Sequence, residues 1–352
     1  MGFFLVYNGG MRRLLCLLLL LPLLAFGLTE PLKIGMVGPL SGNLYLYGEA
    51  LRNSLTLAHE DTPDFKVKFF FEDNEGNTGG TNLAARRLVS LNHVDVIFTP
   101  YTLEANIVAP ICDKTGVLQF SNCWNSNIIE KSKFSFSSSV SFKNYGDATV
   151  RLLKEKNIKH IAFVHAPGWV EGTDWLNAQC KKEGIEVDNG SFLSDDRDFR
   201  TGIMKLREQK PEVYVIYLEY PSNDIFLKQL RVLSPGSQVT GYLDIVQDRS
   251  LIEGATYISE YPPIPEFYAH YQKRFGVSAE QTLAPNAYDN FKMLAKVASE
   301  MPKWDVKTAA DKIRHMKDFP GVTGSLTCAP TGVFLSQTHV VKIVNGKKEF
   351  LK

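Results

Sequence analysis

Twice along this chain, short apolar runs alternate with longer segments of helical period, and that alternation restricts the fold more tightly than any single motif in it. Residues 33–37 form an apolar-rich run that ends in Gly38-Pro39-Leu40-Ser41-Gly42, after which Ala50, Ser54 and Leu57 recur at i, i+4 and i+7. Strands are predicted at 66–71, 94–99 and 117–120, with helices at 81–91 (Ala84, Leu88 and Leu91 in register) and 104–114 between them. The scheme then restarts. Helices at 145–156, 171–182 and 199–207, the last on Phe199, Ile203 and Leu206, alternate with strands at 161–164, 187–193 and 213–218. A helix carrying Phe226, Leu230 and Leu233 and a strand at 239–242 complete the second unit. Strand, helix, strand in succession requires parallel pairing with helices on both faces, so the class is α/β with two Rossmann-like doubly wound lobes.

Between the units, residues 134–142 are Ser-rich with alternating apolar positions, which suits an extended crossover strand. After the second unit come helical stretches at 265–275, 283–301 and 306–316, then short strands to Lys352. We expect this tail to return to the first lobe and its last strands to cross again, giving a three-strand hinge. The expected division is residues 28–137 plus 262–332 for the first lobe and 138–261 plus 333–352 for the second.

At the N-terminus, Met11-Arg12-Arg13 precedes an apolar run from Leu14 to Leu24 and the small residues Ala25 and Gly27. This pattern reads as a secretory signal cleaved after Gly27, too short to span a bilayer, with residues 1–10 an over-called start. Cys16 lies inside the apolar run and no cysteine follows the small residues, so no lipid anchor is expected. Residues 28–352 then carry 37 basic and 38 acidic side chains. That balance, with no basic stripe, speaks against a nucleic-acid partner. At 325 residues the mature chain exceeds what one core usually supports, which favours two lobes. Its four cysteines, Cys112, Cys123, Cys180 and Cys328, are spaced like neither a zinc site nor a CxxC redox pair. Three complete pairings are open to them; buried free thiols are the preferred reading.

Open parallel sheets bind ligands at the carboxyl ends of their strands, where loops lead into helix N-termini. In the first unit those loops hold Ser41, Tyr101, Thr102, Cys123, Trp124 and Asn125; in the second they hold Trp169, Glu219, Tyr220 and Asp244. Hydroxyls and amides on one side, aromatics and acids on the other, suit a small zwitterion or amine. A ligand carboxylate would meet Thr102 and backbone amides, Glu219 or Asp244 would face an ammonium, and Trp169 would cover the apolar part. Each residue also has a plain structural role open to it: Ser41 and Thr102 as helix caps, Trp169 in a satellite core, Glu219 in solvent. Convergence of the set on strand ends is what favours binding.

The runs KIGMVGPLSGNLYLYGEALRNSLTLA, FFEDNEG, DVIFTPYTLEANIVAPICDKTGVLQFSN, HIAFVHAPGWVEG and DFRTGIMKLREQKPEVYVIY, in that order and spacing, resemble the leucine/isoleucine/valine-binding family of periplasmic receptors for ABC transporters. The resemblance spans essentially the whole mature chain. It implies the type I periplasmic-binding fold, capture of an amino acid or related solute between closing lobes and delivery to an inner-membrane ABC permease; with the secretory signal, a periplasmic monomer without cofactor or metal is expected. The family's carboxylate-holding hydroxyl falls on Thr102, its next strand-end loop on Cys123 to Asn125, and its second-lobe aromatic on Trp169. Its ammonium-pairing acid falls on Leu243, beside Asp244. Asp244 after a one-residue shift, Glu219, or a ligand without an ammonium would each account for that departure, and Trp124 stands where the family has a small residue.

An enzyme would need a nucleophile, base or metal. The chain has no GxSxG, GxxxxGK[ST] or HExxH, and its seven histidines show no ligand spacing. A binding protein is therefore expected. A periplasmic receptor reporting to a sensor kinase or chemoreceptor is the alternative, one that a transmembrane segment or a dimerising lobe face would mark.

Overall fold

The computed structural model describes residues 28, 30–193, 195–260, 264–279, 282–335 and 337–351. The expected secretory signal at residues 1–27 lies outside the described residues.

The first unit runs β1 (Leu32–Gly38), α1 (Tyr45–Glu60), β2 (Val67–Asp73), α2 (Thr78–Arg87), β3 (Val96–Thr99), α3 (Thr102–Thr115), β4 (Leu118–Ser121), α4 (Ser126–Lys131) and β5 (Ser135–Ser137). The second runs α5 (Phe142–Glu155), β6 (His160–His165), α6 (Val170–Lys182), β7 (Glu186–Ser191), α7 (Arg200–Glu208), β8 (Val213–Tyr217), α8 (Ser222–Leu233), β9 (Gln238–Gly241) and β10 (Thr256–Ser259). The tail adds α9 (Pro265–Phe275), α10 (Ala284–Ser299), α11 (Val306–Arg314), the hairpin β11 (Phe319–Gly321) with β12 (Gly324–Leu326), and β13 (His339–Val344) with β14 (Lys347–Phe350).

Two parallel sheets result, ordered β2-β1-β3-β4-β5 and β7-β6-β8-β9. Strand β3 is buried along its whole length and so is β8, as strands covered on both faces must be. In each sheet the order reverses beside the unit's first strand, between β1 and β3 and again between β6 and β8. Such reversals part the flanking loops and open a crevice at the carboxyl ends.

Helix starts are fixed locally. Asn77 caps α2 by accepting from the Gly80 amide, Ser141 caps α5 from Asn144, and Asp305 caps α11 from Thr308. Gly116 ends α3 at φ 71°. The expected extended crossover at 134–142 is shorter than its alternation suggests. Only β5 joins the sheet, beside β4. Ser137, its last residue, donates through Oγ to the Cys123 carbonyl at 2.9 Å, and Ser141 turns the chain into α5.

In the tail, Phe291 and Leu294 of α10 enter one core with Ile34, Phe98 and Phe120, while Val341 and Ile343 of β13 enter another with Phe163 and Val215. Strand β13 pairs antiparallel with β10, a strand that periodicity did not anticipate. Among the described residues, β5 and Phe334 thus pack with the first sheet's core and β10 and β13 with the second's.

All four described cysteines are buried free thiols, and each sits in a different hydrophobic cluster, which removes any partner from reach. Burial pushes the Cys123, Cys180 and Cys328 thiols up to about 12 and Cys112 higher still. Protein comprising residues 28–352 should therefore show no reaction of Cys112, Cys123, Cys180 and Cys328 on the timescale of a colorimetric thiol assay and reaction of all four after denaturation; rapid native labelling would contradict this burial.

Gly48, in the first turn of α1, lies so close to the β1 carboxyl end that a Cβ would stand 1.8 Å from the Pro39 carbonyl oxygen. Gly48→Ala should destabilise by about 1–3 kcal/mol through backbone displacement, read as a lower denaturation midpoint in urea.

Candidate functional site

The carboxyl ends of the two sheets face one another across a cavity of about 330 Å³. From the first unit, the loop after β3 supplies Tyr101 and Thr102, the first turn of α3 supplies Glu104, the loop after β4 supplies Trp124, and α1 supplies Tyr47. From the second come Phe142 at the start of α5, Ala166 and Trp169 beyond β6, Glu219 beyond β8 and Tyr242 beyond β9.

Trp124 ties the two sides together. Its amide donates to Thr102 Oγ1 at 3.1 Å and its carbonyl accepts from the Phe142 amide at 2.9 Å. Between these anchors the indole enters the aromatic cluster of the second unit, with ring centroids 4.4 Å from Tyr242, 5.1 Å from Tyr145, 5.3 Å from Trp169 and 5.6 Å from Phe142. Two polar contacts also bridge the units. Tyr220 N donates to the Tyr47 hydroxyl at 3.3 Å, and Asn127 Nδ2 donates to Glu171 Oε1 at 2.7 Å. The facing sides are therefore in contact, with the cavity between them.

The charged lining is acidic. Glu104 is 1% exposed. Its Oε1 accepts from Asn74 Nδ2 at 2.7 Å, while Oε2 is buried without a hydrogen-bond partner. Burial raises its pKa to about 7, against the lowering effect of the Asn74 bond. Glu219 is also raised by burial, opposed by a hydrogen bond from the Trp169 indole.

The chain's place among known proteins follows the same geometry. A model of the periplasmic binding protein family, described as "Periplasmic binding protein", matches residues 31–348. The chain belongs to that family. The fold is shared with the leucine binding protein LivK of Thermotoga maritima (TM-score 0.83, 19% identity, 91% of this chain and 98% of that one). It is shared as well with LivJ of Streptococcus pneumoniae, solved with isoleucine (0.80, 18%, 92% and 100%), and with an R. palustris ABC-transporter solute binding protein solved with benzoate (0.83, 16%, 92% and 96%). No curated protein matches the sequence.

Of the ten residues singled out from sequence, this periplasmic binding protein places Tyr101, Thr102, Trp124, Trp169 and Glu219 on the cavity. Tyr220 lines an adjoining pocket with Arg197 and Glu75. The other four are elsewhere. Asp244 is a correction: it is 1% exposed and accepts from Tyr257, Ser259, the Glu260 amide and Lys348 Nζ, the last at 2.6 Å, so its carboxylate is spent on the β10–β13 side. Cys123 is corrected likewise, packed with Ala105 and Ile129. Asn125 caps α4, with its side chain accepting from Asn127 N, and Ser41 is exposed in the loop after β1. Tyr242, in the strand-end loop at 242–245 that the sequence marks for the second unit, also lines the cavity, whereas Tyr47 and Glu104 were not singled out. Both were within reach, because Tyr47 shares a helical stripe with Leu51 and Leu55, and Glu104 with Val108 and Cys112. Among the described residues no group of three or more His, Cys, Asp or Glu is placed to hold a metal ion.

Glu104 predicts a pH dependence. Its carboxyl binds a proton more tightly folded than unfolded, so the stability it confers is fully present below about pH 4.5 and is lost as pH rises through about 7. Glu104→Gln keeps an acceptor for Asn74 and should raise the melting temperature at pH 8, with the gain vanishing by about pH 5. An equal gain at both pH values would refute the assignment.

Proposed function

We propose that this periplasmic binding protein is the solute receptor of an ABC importer, acting outside the cytoplasm as a monomer. It captures an amino acid or a related small solute between two closing lobes and presents the closed form to an inner-membrane permease. The observation that carries this reading is the cavity itself, built from strand-end loops of both sheets at their two order reversals. Similar proteins solved with isoleucine, benzoate, 4-hydroxybenzoate and 3,4-dihydroxybenzoate support a small organic solute of this size. No described helix is long and apolar enough to cross a membrane, consistent with a receptor that hands its cargo to a separate permease.

The two sides have different work in this reading. Solute binds first against Thr102, Tyr101 and the start of α3; closure then brings Trp169, Tyr242 and Glu219 over it and expels water. Micromolar capture needs about −8 kcal/mol, within reach of one or two charge-assisted hydrogen bonds and a buried aromatic contact after ordering costs.

A thermal-shift screen of amino acids, amines, amides and small carboxylates tests the reading, because a solute bound only by the folded state at 100 times its Kd adds about 2.7 kcal/mol. For the solute found, Trp169→Ala should weaken binding by about 2 kcal/mol or more, roughly thirtyfold, and Trp169→Phe should recover most of it. Unchanged calorimetric affinity in Trp169→Ala would remove this cavity from the function.

A further inference from the structure

We propose that the solute is an organic ammonium ion bearing an apolar group and no carboxylate of its own. The proposal rests on the receptor reading above and specifies which member of the amino-acid-like range the cleft selects.

The first observation is charge. Both ionisable carboxylates on the cavity, Glu104 and Glu219, come from opposite sides, and no Lys, Arg or His is among the described residues that line it. Glu219 adds a small part to the rise in the Glu104 pKa, which burial dominates. A cation between them would relieve that repulsion and a carboxylate would add to it.

The second observation is an unmet hydrogen bond. Glu104 is one of the residues that line the cavity, and its Oε2 is buried without a hydrogen-bond partner in the protein. Buried carboxylate oxygens are rarely left so. An ammonium N–H is the complementary donor.

The third concerns the place where an amino acid would put its carboxylate. That place is the N-terminus of α3, whose partial positive charge favours anions. Here the first turn already carries the acid Glu104. A ligand carboxylate would therefore approach a buried acid rather than a free helix terminus.

The rest of the wall is aromatic, with Tyr47, Tyr101, Trp124, Phe142, Trp169 and Tyr242 bordering one cavity. Ring faces attract a desolvated cation and accept an apolar substituent equally well.

Titration calorimetry on the purified protein with two matched sets separates the possibilities: phenethylamine, phenylalanine and 3-phenylpropionate, then isopentylamine, leucine and 4-methylpentanoate. Each amine should bind at least tenfold more tightly than the amino acid of the same skeleton, and the acids should give no binding heat. Glu219→Gln and Glu104→Gln should each weaken the amine at least tenfold while circular dichroism stays native. An amino acid or acid that binds as well as its amine, or amine binding indifferent to both Gln variants, overturns the ammonium assignment and leaves the receptor reading standing. Silence of all six, joined by silence in the thermal-shift screen, overturns both.

Discussion

Parallel strands cannot be joined by a tight turn, and this constraint organises the molecule. Each crossover must carry the chain back along the sheet, so a helix covers the face and every strand leaves the sheet at the same end. In the first sheet that end holds the loops after β1, β3 and β4; in the second it holds those after β6, β8 and β9. Because the strand order reverses once in each sheet, adjacent loops diverge there and leave room between them. The cavity is where two such reversals are brought face to face. Gly48 shows how little slack the arrangement has, since α1 passes against the Pro39 carbonyl with no space for a methyl group.

The contact between the facing sides is mostly aromatic and centres on Trp124. Its backbone is held by Thr102 on one side and Phe142 on the other, so the indole enters the second unit's cluster from a fixed base. Each well-oriented aromatic pair contributes about 0.5–1.5 kcal/mol beyond area burial, and Trp124 makes four. A small residue at this position would leave a larger cavity and a weaker bridge. Trp124 therefore couples two properties that could otherwise vary independently: the size of the solute admitted and the stability of contact between the lobes.

The fold was more legible than the site, for a physical reason. Strand and helix positions depend on apolar period, and the period repeated faithfully: the predicted helix at 171–182 is observed at Val170–Lys182, and the predicted strand at 213–218 at Val213–Tyr217. The elements that went unread, α4 and β10, are short and depend on partners distant in sequence. Site residues depend on which way a side chain points from an irregular loop, and period says nothing of that. Trp169 and Glu219 came out on the cavity because they follow directly on strand ends. Asp244 did not, because Lys348, 104 residues later, claims its carboxylate, and no local pattern announces a partner that far along the chain. Glu104 was hidden by the opposite habit: an acid in a first helical turn reads as a complement to the helix dipole, although its register with Val108 and Cys112 places it on the buried face.

The contrast between Asp244 and Glu104 also bears on what the cleft does. Both are nearly fully buried acids. Asp244 is met by a lysine ammonium, two hydroxyls and an amide, the set of partners that a buried charge requires. Glu104 receives a hydrogen from Asn74 and one from its own backbone amide, with no ammonium or guanidinium beside it. With no solute, the protonated form relieves the missing charge partner, and burial raises the pKa in that direction. With a cation in the cavity, the ionised form is favoured instead, because the charge then has a counterpart. A structural acid is completed by its own chain, as Asp244 is. An acid left incomplete at the wall of a cavity, facing a second acid and surrounded by aromatic rings, has its complement outside the chain, and that complement carries positive charge.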